Sequence, residues 1–247
     1  MARRSEGRSA LDRVMSVLEA FPQDHPSLTV GQIAERTGLS SATAYRIVAE
    51  LLDLGVLERR GAGVSIGVRL WEIASRAPRA HDLRDAAMPF LEDVQTATRQ
   101  HVQIGVLEGT EVLFIERLSA RQSVVNFTVV GGRLPLYASS SGLVLLAHAA
   151  TDLLDRVLTS PRTQFTDRTP TGEGELRRVV AEVRKRGYAA CPGYLHPDAM
   201  GIAVPVRDRS DAVVAAMGVV VPVRGAAVTA HVLSLRTAAL GITRALR

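Results

Sequence analysis

The chain has 247 residues, 47% of them hydrophobic, with a formal net charge of +5 and a single cysteine. That length can bury one large core or two smaller ones, and one cysteine excludes an internal disulfide framework and fits a reducing cytoplasm. The opening MARRSEGRSALDR has no apolar stretch and no later run reaches spanning length, so neither a secretory leader nor a membrane anchor is expected.

Residues 1–8 form a polar, Arg-rich arm. Ser9-x-x-Asp12 then caps a helix carrying Leu11, Val14, Met15, Leu18 and Phe21 on one side, and Pro22 ends it. Thr29-x-x-Gln32 opens a second short helix with Val30, Ile33 and Ala34 on its apolar face. Gly38 stops that helix, and Ser40 is the N-cap of the next, over about 41–54. This third helix packs through Ala44, Ile47, Val48 and Leu51 and ends at Gly55. Val56–Arg59, a turn over Arg60–Gly63 and Val64–Ile66 read as a small hairpin.

The rhythm is that of a winged helix-turn-helix. A recognition helix packs one stripe on its neighbour and carries base-reading residues on the other, near its N-terminus. Thr29, Ser40, Ser41, Ala42, Thr43, Tyr45 and Arg46 are the candidate DNA contacts here, with Arg59 and Arg60 on the wing. Hydroxyls suit phosphates or bases, Ala42 a thymine methyl, and Arg46 guanine or a phosphate. The bland alternative is an αα-hairpin with a solvated polar face. The first 80 residues hold 11 Arg against 9 Asp and Glu, so DNA affinity must come from placement rather than bulk charge.

Residues 68–98 read as helical, with breaks or kinks expected at Pro78 and Pro89. Trp71 either pairs with its copy in a dimer or packs on its own winged unit. From about 101 the period becomes two. Strands are expected over 102–106, 112–118, 124–130, 202–206 and 213–221. Helices are expected over 139–149, 152–158, 173–186 and from about 229 to the end. Strands mixed with helices in this manner indicate an α+β fold with one central antiparallel sheet.

The candidate ligand site is the Ser-rich helix start, Tyr137, Ala138, Ser139, Ser140, Ser141 and Gly142, facing the strand residues Met200, Gly201 and Ile202. A helix N-terminus with hydroxyls nearby suits a carboxylate or phosphate. Ordinary capping by Ser and core filling by Met200 are the competing explanations. The six His residues are scattered, and Cys191 with His196 supplies only half of a zinc site, so no metal, cofactor or catalytic residue is expected. A hydrolase grouping of Ser139–Ser141 with His148 or Asp152 lacks the nucleophile-elbow motif.

Three stretches carry a family resemblance. TVGQIAERTGLSSATAYRIVAELLDLGVLERR resembles the winged-helix pattern of the IclR family of bacterial transcription regulators. GGRLPLYASSSGLVLLA, residues 131–147, resembles that family's GxxLPLHATAxGKALLA stretch. Gly187–Asp208 resembles its C-terminal signature: Gly187, Ile202, Ala203, Val206 and Asp208 match. Cys191 stands for the usual Asp or Ser, Tyr194 for Glu, Gly201 for Cys and Arg207 for the aromatic. The changes at Tyr194 and Gly201 favour a roomier and less acidic wall, and with the donors of the Ser-rich helix start they point to an aromatic or aliphatic acid as effector.

The resemblance implies a winged helix-turn-helix over 1–67, a linker helix over 68–80 and a GAF-like effector-binding and oligomerisation domain over 81–247. It implies a homodimer or homotetramer that binds palindromic promoter sites on double-stranded DNA under control of a small-molecule effector, in the cytoplasm and without membrane contact. The alternative is a metabolite-binding protein or hydrolase in which the helix-turn-helix serves as an interaction module.

Overall fold

The computed structural model describes residues 9–22, 27–76, 78–120 and 124–246, without side-chain detail for 78–81. The N-terminal arm expected at 1–8 lies outside the described residues. Packing divides the chain into two units, Met1–Pro78 and Arg79–Arg247.

Capping sets the helices of the first unit. Ser9 and Asp12 form a reciprocal box at the start of α1 (Ala10–Glu19), and Thr29 with Gln32 does the same for α2 (Val30–Thr37). Gly38 ends α2 with φ +67°, a left-handed backbone that most side chains disfavour. Ser40 caps α3 (Ser41–Asp53) by accepting from the Thr43 amide. Strands β1 (Leu57–Arg60) and β2 (Gly63–Ile66) pair antiparallel, and a bridge from Leu28 to Val64 adds a third short rung. Arg60 and Gly63 form the last ladder pair, so the turn is shorter than the sequence suggests, Gly61-Ala62 alone. Val17, Leu28, Ile33, Ile47, Val48, Leu51, Leu57 and Val64 make the core. The apolar stripe expected on α1 is only partly used, because Leu11 and Met15 stand exposed. A fourth helix, α4 (Val68–Ala74), leaves Trp71 69% exposed, so Trp71 is not packed into the core of its own unit.

The second unit begins with α5 (Pro78–Thr98). The break at Pro78 is present as a helix start, the position at which proline costs no hydrogen bond. Pro89 does not break the helix. It sits on the exposed face, where the missing i→i−4 bond is least damaging. Six strands follow: β3 (His101–Glu108), β4 (Glu111–Leu118), β5 (Arg133–Pro135), β6 (Ala189–Pro192), β7 (Ala199–Arg207) and β8 (Val213–Pro222). They form one sheet in the order β5-β4-β3-β8-β7-β6, with every neighbouring pair antiparallel. Helices α6 (Ser140–His148), α7 (Thr151–Thr159) and α8 (Glu173–Arg186) are interspersed, and α9 (Val228–Ala245) comes last.

Strand parity assigns the faces. Val102 and Ile104 on β3, Met200, Ile202, Val204 and Val206 on β7, and Met217, Val219 and Val221 on β8 join α5 and α9 in one core. Val112, Phe114, Ala189, Cys191, Ala203 and Ala216 join α6, α7 and α8 in the other.

The strand expected over 124–130 is not formed. This segment crosses the sheet as irregular backbone, held by side chains instead of a ladder. The His101 ring reaches the Val124 carbonyl, Gln103 engages Asn126 and Thr128, and Arg117 donates to the Thr128 carbonyl. The edge position goes to Arg133–Pro135, which pairs with Glu111–Leu113.

Helix α6 lies unusually near its surroundings. A Cβ on Gly142 would fall 2.5 Å from the Leu136 Cα and 2.6 Å from its carbonyl oxygen. Both are backbone atoms that cannot swing aside. Gly142→Ala should therefore destabilise the second unit by about 2–3 kcal/mol, measured as a lower urea midpoint with an unchanged slope.

Candidate functional site

The first unit presents one polar face. Ser41, Ala42, Tyr45 and Arg46 are exposed over the first turns of α3, with Tyr45 62% exposed. Three hydroxyls of the predicted set are already engaged locally. Thr29 Oγ1 accepts from the Gln32 amide at 3.3 Å. Ser40 Oγ accepts from the Thr43 amide at 3.3 Å and contacts Thr43 Oγ1 at 2.9 Å. Their first task is to start helices, and any contact with a partner is additional. The Arg46 guanidinium meets Glu50 Oε1 at 3.2 Å, an exposed i,i+4 pair that adds little stability but aims the side chain. Arg59 and Arg60 are both exposed on β1.

The second unit holds a cavity of about 40 Å³ between the start of α6 and the sheet, room for roughly one water. Of the predicted effector residues, Ala138, Ser139, Ser140 and Gly201 line it. The other five do not. Met200 and Ile202 alternate to the opposite face of β7 and join the α5–α9 core, the result of period-two geometry. Tyr137 turns away, its hydroxyl donating to the Thr163 carbonyl at 3.0 Å. Ser141 is fully buried above Gly218, where a Cβ would come within 3.5 Å of its Oγ. Gly142 is pressed on Leu136. The space expected at Gly201 is also not open: a Cβ there would meet Ser140 Oγ at 2.7 Å, so Ser140 fills it.

Of the remaining walls, Cys191 and Tyr194 are positions of the C-terminal signature, and the others come from elements that motif reading passed over. Gln103 projects from β3, and Asn126, Phe127 and Thr128 come from the irregular segment. Tyr194, Leu195 and His196 follow β6. The Phe127 and His196 rings lie 6.1 Å apart, and Phe127 is 53% exposed. One available signal was parity: Ala199 shares the face of Gly201, and Gln103 interrupts an otherwise apolar strand.

The lining contains no Asp, Glu, Lys or Arg. Burial pushes the Cys191 thiol well up, and burial, then Cys191 and Glu175, push Tyr194 up to about 12. Both stay protonated near neutrality. At the helix start, Ser139 Oγ accepts from the Gly142 amide at 3.1 Å. The Ser140 and Ser141 amides have no partner among the described residues. The cavity is thus neutral, with donors at the positive end of a helix.

Residues 76–243 match the family model for the bacterial transcriptional regulator IclR C-terminal domain, and residues 10–61 match that for the IclR helix-turn-helix domain. The chain belongs to the IclR family. It is 31% identical to the HTH-type transcriptional regulator BhcR of Paracoccus denitrificans, over 83% of this chain and 74% of that one. It is 28% identical to the Pca regulon regulatory protein of Pseudomonas putida, over 85% and 73%. An IclR homologue from Microbacterium hydrocarbonoxydans, solved in complex with 4-hydroxybenzoate, superimposes with a TM-score of 0.92 at 45% identity, covering 97% and 99%.

This IclR-family chain is a helix-turn-helix transcriptional regulator, and its α+β fold is that of the family. The hydrolase alternative is not favoured. His148 sits at the far end of α6 from Ser139, about 13 Å along the axis, with Nδ1 at 2.9 Å from the Val144 carbonyl. Asp152 pairs with Arg156 on α7. No helix among the described residues is long and apolar enough to cross a membrane.

His101 ties the irregular segment to β3. Its Nδ1 accepts from the Ala120 amide at 3.1 Å, so Nε2 carries the proton and donates to the Val124 carbonyl at 3.0 Å. Burial holds its pKa below the ordinary 6.5; the Val124 bond opposes this, and Arg117 reinforces it. A depressed base binds fewer protons folded than unfolded, so stability is retained above about 6.5 and falls as pH drops from there toward the folded value. Urea midpoints at pH 7.5 and 5.5 should fall further for the parent than for His101→Gln.

Proposed function

We propose that residues 1–67 read DNA, that 68–80 link, and that 81–247 sense a small aromatic acid and hold the oligomer. The observation that supports the sensing role is the neutral, donor-lined cavity at the α6 start in a chain 45% identical to a protein that binds 4-hydroxybenzoate. A carboxylate suits the free amides of the first turn. A ring suits the mouth formed by Phe127 and His196. At about 40 Å³ the cavity must enlarge to accept a ring, and Phe127, exposed at the mouth, is the side chain placed to move.

The working species is a homodimer or homotetramer in the cytoplasm, bound to a palindromic promoter site. Two heads on one two-fold axis match two half-sites. The exposed Trp71, together with Val68 and Ile73 on α4, supplies apolar surface for pairing of copies. Effector binding changes DNA affinity by linkage, favouring one arrangement of the heads over another.

The test is an electrophoretic shift on the intergenic DNA upstream of the gene, with and without 4-hydroxybenzoate. A specific complex whose stability changes with the acid supports the reading. A chain that binds this DNA no better than random sequence defeats it. Arg46→Ala should weaken specific binding by about 1–3 kcal/mol. Glu50→Gln, which frees Arg46 from its ion pair, should strengthen it slightly. Arg59→Ala and Arg60→Ala should weaken binding to all sequences, each lost phosphate contact lowering the log–log salt slope by about 0.9. Filter-binding titrations across a salt series check all four variants.

A further inference from the structure

Gln103 is a polar residue only 4% exposed on a strand whose neighbours Val102 and Ile104 are fully buried. It lines the cavity, and its amide orientation is dictated by a chain of hydrogen bonds. The backbone N–H of Thr128 donates to Asn126 at 3.0 Å, which identifies that acceptor atom as Oδ1. Asn126 must then present Nδ2 to Gln103, at 3.3 Å, so the Gln103 atom there is Oε1. Thr128 Oγ1 lies 2.5 Å from the same oxygen. Gln103 Oε1 is therefore committed, and Nε2 is turned the other way. Nε2 has no partner among the described residues and is not sealed from solvent, so it is a donor free to meet a ligand in the cavity that Gln103 lines.

Resting on the aromatic-acid reading above, we propose that Gln103 is the specificity-determining residue for the end of the effector remote from its carboxylate. Its Nε2 donates to an oxygen substituent on the ring, while the α6 start holds the carboxylate. The two donor poles lie on different strands. Ser140 sits over Gly201 on β7, while Gln103 is on β3 beyond β8, two strand spacings across and two residues along, about 12 Å. A benzene ring with substituents at opposite ends spans that kind of separation, and a short aliphatic acid does not. Asn126 and Thr128 pin the amide, so its donor is aimed before the ligand arrives. Phe127, between them, points outward and can open the mouth without releasing either.

The experiment is isothermal titration of the full-length protein with benzoate and 4-hydroxybenzoate. The parent should bind the hydroxylated acid about five- to tenfold more tightly, the ratio expected for one neutral hydrogen bond. Gln103→Met keeps the length and removes the donor. It should erase that ratio, weakening 4-hydroxybenzoate by about five- to tenfold more than benzoate. Thr128→Val keeps the donor but loosens its aim, and should give an intermediate ratio even if Gln103→Met fails to fold. Equal weakening of both acids by either variant, or a ratio unchanged in both, overturns the assignment. A parent that binds neither acid overturns the aromatic-acid reading itself, and is seen before any variant is made.

Discussion

The contact on which the second unit depends is the approach of the first turn of α6 to the sheet and to the preceding turn. Three glycines permit it. Gly142 lets the helix press on the Leu136 backbone, Gly201 accepts Ser140, and Gly218 lies beneath Ser141. A side chain at Gly142 or Gly201 would push the helix outward, while one at Gly218 would press first on the β7 backbone at Ile202. The same approach brings the Ser140 end of α6 to the cavity wall and keeps that cavity small. Packing and the chemistry of the cavity wall are therefore one constraint here: the helix cannot be moved off the sheet without moving the donors at its start.

A second constraint comes from replacing a strand with an irregular crossing. Residues 124–130 would pair on a sheet edge if they continued the ladder. Instead their polar groups are taken by His101, Gln103 and Arg117, all on β3 or β4. Cross-strand neighbours Gln103 and Arg117 thus act together on one segment. Side-chain tethers hold fewer groups than a ladder does, and they leave Phe127 outside.

The first unit is built on a different economy of contacts. Its helices are short, and capping residues start each of the first three. Two of the candidate DNA contacts, Thr29 and Ser40, also cap helices, and Ser40 sets the start of α3. The residues left over for a partner, Ser41, Ala42, Tyr45 and Arg46, are those with no structural task except the weak Arg46–Glu50 pair.

The sequence by itself determined the winged helix-turn-helix, the strands that alternate cleanly and the Ser-capped helix, because caps, turns and periodicity are local. The Ser9 and Thr29 boxes and the Gly38 stop are legible residue by residue. It did not determine which of Met200, Gly201 and Ile202 face the cavity, since a run of three consecutive strand residues always spans both faces. Nor did it reveal Gln103, Asn126 and Thr128 as one site, because they lie on separate segments that only the sheet order brings together. The 124–130 segment read as a strand because its composition is apolar and β-branched. Whether such a segment joins a ladder is decided by what its backbone can reach, and here side chains from β3 and β4 reach it first.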